Sequence, residues 1–159
     1  MKKTCIVFLM VLFFVFSNNS IIISSDDLGV SNGFFENSDL WAVFVTVGEP
    51  KLDDKNAGDL YDILLNNGWL ESNIYYLREN NATKEAVLSI SDWLNLHGVE
   101  SDDLVLFYFS MHGGKIGDVP PLDELDNMDE FIVPYKLDDG SDDNILDEEL
   151  ALMFDAIET

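Results

Sequence analysis

Cysteine is almost absent from this chain. The only one is Cys5, so no disulfide forms within it and no thiolate metal site can be built from it. Basic residues are scarce too: 8 Lys and Arg stand against 31 Asp and Glu, a net charge of −23. A surface of that sign repels phosphate backbones and anionic lipid, which argues against nucleic acid as a partner and is compatible with cations such as Ca²⁺ or basic peptide segments. The same acidity also keeps a protein soluble in a high-salt or extracellular setting. Histidine occurs only at 97 and 112. No G-x-G-x-x-G follows the first strand-like run, so a generic dinucleotide-binding domain has little support. There is no EF-hand spacing, no internal repeat and no low-complexity tract beyond the acidic bias.

What is present begins with a leader. Residues 1–20 open with Lys2 and Lys3 and continue through an apolar run from 5 to 16, about the length of a signal-peptide core. The run is short for a spanning helix, although residues 21–23 extend it toward an anchor. The expectation is export, with the N-terminal segment meeting the membrane on the way and the protein ending outside the cell, free or anchored. Residues 24–39 are polar, with Gly and Asn, and the stretch 21–39 reads as a linker. The folded domain is expected over 40–159, one domain with enough chain to bury a core. Asn18-Asn19-Ser20 and Asn81-Ala82-Thr83 are formal glycosylation sequons.

Within that domain the apolar period alternates between two kinds. Residues 41–47, WAVFVTV, predict a first strand. From residue 54, Ala57, Leu60, Tyr61 and Leu64 fall at i, i+3, i+4 and i+7, the buried stripe of a helix that Asn67-Gly68 ends. Residues 74–77, IYYL, predict a second strand. Thr83 then caps a second helix carrying Val87, Ile90, Trp93 and Leu94, with Gly98 at its end. Residues 104–109, LVLFYF, predict a strand buried on both faces. Strand–helix–strand–helix–strand implies right-handed crossovers and a parallel sheet, hence an α/β fold. Residues 117–158 carry 15 acidic residues and a single lysine, Lys136. This segment reads as an acidic loop interrupted by one short strand at 131–134. A helix follows over 145–157, with Ile145, Glu149 and residues 150–153 near its inner side.

The third strand delivers Ser110, Met111, His112, Gly113 and Gly114 to its carboxyl end, where open α/β sheets hold ligands and catalytic groups. An imidazole there suits proton transfer, because it titrates near neutrality. The glycine pair is expected to turn sharply and bring the backbone close to a ligand. Histidine does not hydrolyse a peptide alone and needs a nucleophile. Ser110 shares the strand face, but no nucleophile-elbow pattern surrounds it, so it reads as a pocket wall. His97 falls at the end of a helix, where the helix dipole favours a cation, and reads as a surface residue.

WAVFVTVGEP at 41–50, NAGDLYDILLNNGW at 56–69, DDLVLFYFSMHGG at 102–114 and DNMDEFIVPYKLDDGSDDNILDEEL at 126–150 together resemble the caspase-like cysteine peptidases, metacaspase-type branch. The most specific parts are the Phe-Ser-x-His-Gly-Gly element and the Asp-Glu-x-Ile-Val-Pro-Tyr segment that leads to Asp-Glu-Glu-Leu. The resemblance implies a three-layer α/β sandwich with a mainly parallel sheet, incomplete at its C-terminus. It also implies a cysteine-type endopeptidase acting on protein or peptide substrates through a Cys–His dyad.

By the same resemblance, His112 is the catalytic histidine and the Gly113 N–H is the oxyanion donor. Ser110 and Asn56 match positions that line the substrate pocket. Most of the family has Asp where Asn56 stands, so this chain keeps the hydrogen bond there without the charge. Asp129, Asp147 and Glu148 match carboxylates that bind Ca²⁺ in many metacaspase-type enzymes, and no other cofactor is required. The family's cysteine lies on the strand after the last helix, beyond Thr159. The expectation is therefore the His-bearing portion of a peptidase, inactive alone, with a sheet edge for the remaining strands to pair with. The alternative is a non-catalytic caspase-like module that binds Ca²⁺ or a protein partner.

Overall fold

The computed structural model describes residues 6–8, 39–48, 53–100, 102–117, 119–120, 125–136 and 143–157. Its centre is a parallel sheet. Strand β1 (Ile6–Phe8) lies beside β4 (Leu104–Ser110), β4 beside β2 (Leu40–Thr46), and β2 beside β3 (Ile74–Arg78). Apart from Ile6–Phe8, the leader lies outside the described residues, as do residues 21–38 of the linker.

The alternation in β2 explains the layers. Side chains along a strand point to opposite faces. Trp41, Val43 and Val45 pack with Val105 and Phe107 against helices α2 (Lys84–Leu88), α3 (Ile90–His97) and α4 (Asp147–Asp155), through Val87, Ile90, Leu94 and Met153. Ala42 and Phe44 face the other way. With Leu104 and Tyr108 they meet Ala57, Leu60 and Leu64 of α1 (Asp53–Asn66). The predicted stripe of α1 is thus its buried face. Central β2, apolar on both faces, reads as the unbroken run typical of a parallel strand. At the amino ends of the strands, buried Asp103 accepts hydrogen bonds from Asp39 N (2.7 Å), Glu100 N (2.9 Å) and Trp41 Nε1 (3.0 Å).

The second predicted helix is two. Thr83 Oγ1 accepts from Ala86 N at 3.2 Å, as an N-cap does. The helix then breaks at Ser89, whose hydroxyl donates to Ala86 O at 3.0 Å and competes with the helical pattern. Gly98 closes α3 at φ 81°, a left-handed conformation that glycine adopts without strain.

The region after Ser110 departs most from expectation. The glycine pair does not turn but opens strand β5 (Gly113–Gly117), which pairs antiparallel with β6 (Met128–Ile132). The predicted strand at 131–134 is therefore shifted toward its N-terminus. Ile145 and Leu146 are not helical; they form a short strand, β7, on the far side of β6. α4 begins only at Asp147, where Glu149 Oε2 accepts from Leu146 N at 3.0 Å. Within α4 the expected inner face is partly wrong: Met153 is buried, but Ala151 and Leu152 are exposed. Half-buried Lys84 ties this region to the body, reaching Asn144 O at 2.8 Å and Glu149 Oε2 at 2.7 Å.

Candidate functional site

Because β2, β3 and β4 run parallel, their carboxyl ends share one edge of the sheet. Register puts Thr46 beside Arg78 on one side and beside Ser110 on the other. Val47 N donates to Ser110 O at 2.8 Å and locks the ends of β2 and β4 together. Two residues on, His112 is exposed. It lies beyond the end of β4, where the sequence places it.

The backbone at His112 is held by β6. Val133 N donates to His112 O at 2.7 Å, and Gly113 stands opposite Ile132. In an antiparallel ladder, bonded and non-bonded pairs alternate. The His112–Val133 pair is bonded, so the Gly113–Ile132 pair is not, and the Gly113 N–H points away from β6. It is an exposed donor next to an exposed imidazole.

The glycines have a reason other than the expected turn. A Cβ on Gly113 would stand 2.8 Å from Phe131 O, and one on Gly114 would stand 2.8 Å from Phe131 Cζ. The backbone of β6 excludes a side chain at Gly113, while one at Gly114 would require the Phe131 ring to move.

Ser110 is buried, with 7% of its surface exposed. It lies on the α1 side of the sheet with Tyr108 and Leu104. Asn56 is exposed in the first half of α1, the helix that leaves the carboxyl end of β2. The topology therefore gathers His112, Gly113, Ser110 and Asn56 at one end of the sheet. His97 is at the other end. Its Nδ1–H donates to Trp93 O at 2.7 Å, and its ring stacks on Trp93 with centroids 4.2 Å apart.

The three acidic candidates divide between two elements. Asp129 is on β6 and is fully buried; its Oδ2 accepts from Val119 N at 2.9 Å, while its Oδ1 has no partner. Asp147 and Glu148 open α4 with their carboxyl groups close together, and among the described residues the buried Asp147 Oδ1, Glu148 Oε2 and Asn144 Oδ1 have no hydrogen-bond partner. Glu148 accepts a hydrogen bond from its own backbone N–H, which lowers its pKa. Desolvation and the neighbouring Asp147 and Asp129 charges outweigh that bond and hold the carboxyl above the ordinary glutamate value. Among the described residues, no three of these groups converge into a ready metal-binding set.

Two residues at this end of the sheet escaped the sequence reading. Thr46, 1% exposed, has an Oγ1 with no hydrogen-bond partner beside Ser110. A polar residue closing an otherwise apolar strand was the available signal. Arg78 is the chain's single arginine, and its guanidinium lies 3.8 Å from the centroid of the Tyr76 ring. Nothing in a short strand pattern marks that stacking.

Compared with known family models, curated proteins and solved structures, the chain matches none.

Proposed function

We propose that the chain is the histidine-bearing portion of a caspase-like cysteine endopeptidase, exported and acting on protein or peptide substrates. The carrying observation is the exposed imidazole of His112 next to the outward-facing Gly113 N–H, at the carboxyl end of a parallel sheet. In this reading His112 takes the proton of a cysteine thiol and later gives it to the leaving amine. The thiolate attacks the scissile carbonyl, and the Gly113 N–H holds the charge that develops on its oxygen. Ser110 and Asn56 line the pocket for the residue before the cut. Asn56 brings a hydrogen-bonding group without charge, so a strict preference for Lys or Arg is not expected. In this reading the thiol comes from a further strand that takes the edge of β4 on which Ile6–Phe8 lies here.

The test is hydrolysis of a peptide library by the chain extended through its natural continuation past Thr159. Residues 1–159 alone should give no turnover. The extended chain should give iodoacetamide-sensitive turnover that His112→Ala lowers by about 10²–10⁴-fold, the usual worth of a positioned acid–base group. Turnover that survives His112→Ala would overturn the proposal.

One observation favours adding Ca²⁺ to this reading, or taking the chain as a non-catalytic Ca²⁺-binding module. The unpartnered Oδ1 of fully buried Asp129 faces the same acidic neighbourhood as Asp147 and Glu148. Hard oxygen donors suit Ca²⁺. Among the described residues these carboxylates do not form a metal-binding set as they stand.

A further inference from the structure

We propose that the outer edge of β5 is a docking rail for an extended, basic peptide segment, which adds to the sheet as a strand and runs past His112. The proposal deepens the peptidase reading and rests on it for the identity of that segment as substrate.

The ladder decides which backbone groups of β5 face outward. With His112–Val133 bonded, the pairs Gly114–Phe131 and Ile116–Asp129 are bonded and lie two and four residues on. The N–H and C=O groups of Gly113, Lys115 and Gly117 therefore point away from β6. Among the described residues β5 has only β6 as a strand neighbour. Its outer edge thus offers three rungs, at the two-residue spacing an added strand needs, and the first is the donor beside His112.

Access is open. Gly113, Lys115 and Gly117 are exposed, and among the described residues nothing lies within 4 Å of where a Cβ on Gly117 would sit. Lysine on an edge strand usually guards it against pairing. Lys115 is instead drawn back toward β6, bonded to Asp126 at 3.1 Å and paired with Glu130.

Charge selects the occupant. Lys115 meets two carboxylates, Asp126 and Glu130, so this exposed face of the hairpin carries one more negative than positive charge beside the rail. A positively charged strand is attracted and an acidic one repelled.

The test is binding, with no need for hydrolysis. Fluorescence anisotropy on the 159-residue chain would use a labelled decapeptide alternating lysine and valine, with a glutamate–valine decapeptide as its counterpart. Lys115→Ala keeps the outward N–H; Lys115→Pro removes it and leaves the β6 ladder intact, because that pair is not bonded. The lysine peptide should bind and the glutamate peptide should not. Lys115→Ala should bind at least as well as the parent chain, and Lys115→Pro about tenfold more weakly than Lys115→Ala. On the unaltered chain, N-methylation at alternate peptide positions should abolish binding in one phase and spare it in the other. Equal affinity for the two variants and for both methylated peptides, or no binding at all, overturns the proposal. Docking without turnover in the extended chain sinks the peptidase reading alone, and turnover without docking sinks the rail alone.

Discussion

Glu148 shows how a single carboxyl reports on its surroundings. Its own backbone bond lowers its pKa, but desolvation and the charges of Asp147 and Asp129 raise it further. The folded state therefore holds this proton more tightly than the unfolded chain does. Acidification through the range just above the ordinary glutamate value adds stability, and that stability is lost as the pH rises through the folded value. Exposed Asp126 has the opposite sign. A hydrogen bond from Lys115 lowers its pKa, so its contribution is present above the ordinary aspartate value and fades as the pH falls through the folded value. Glu148→Gln removes the repelled charge. In denaturant titrations at neutral pH without Ca²⁺ it should stabilise the fold and flatten the acidic rise. If Ca²⁺ binds as proposed, Ca²⁺ at 100 times its Kd should stabilise the parent chain by about 2.7 kcal/mol, and Glu148→Gln should remove that gain. A parent chain indifferent to Ca²⁺ would rule out the metal.

His112 and Ser110 were legible residue by residue, because an apolar run bounded by acidic residues and glycines marks where a strand stops. The role of Gly113 and Gly114 was not legible. Their need for glycine arises from Phe131, 17 residues on from Gly114, and no local pattern carries a contact of that kind.

At the level of elements, strength of period decides what can be read. α1 and β2 carry dense apolar patterns and meet across Phe44. Its ring is fully buried, with centroids 5.2 Å from Tyr76, 5.5 Å from Tyr108 and 6.2 Å from Tyr61. Phe44→Ala should cost about 3–5 kcal/mol in urea titrations, the range for a large aromatic lost from a packed core. Loss below about 1 kcal/mol would mean that the face between β2 and α1 is not packed as described.

β5 lies at the other extreme. Its sequence, GGKIG, is three-fifths glycine, a residue depleted in strands. Only pairing with β6 makes it one. β7 is two residues long and precedes a helix, so a 3.6-residue period absorbs it. The second helix was legible as a stripe but not as two pieces, because its break depends on one hydroxyl, that of Ser89, choosing a carbonyl.

For the molecule as a whole, the parallel sheet with helices on both faces followed from the order of elements, as doubly covered parallel sheets do. The acidic segment was legible as composition but not as structure. A small part of it, Met128–Ile132 and Ile145–Leu146, joins β5 in an antiparallel sheet, which fixes the backbone of His112 from outside the main sheet. The excess of carboxylate in that sheet sets the charge environment of the proposed substrate path.

In the proposed function His112, beyond the end of β4, serves a cysteine thiol carried by another strand. The most direct measurement is the pH dependence of iodoacetamide alkylation in the chain extended past Thr159. A thiol paired with His112 titrates well below the free value of about 8.5 and reacts at pH 6. His112→Ala should return the profile toward that free value and slow alkylation at pH 6 by at least about tenfold. Identical profiles for the parent and His112→Ala would contradict the claim.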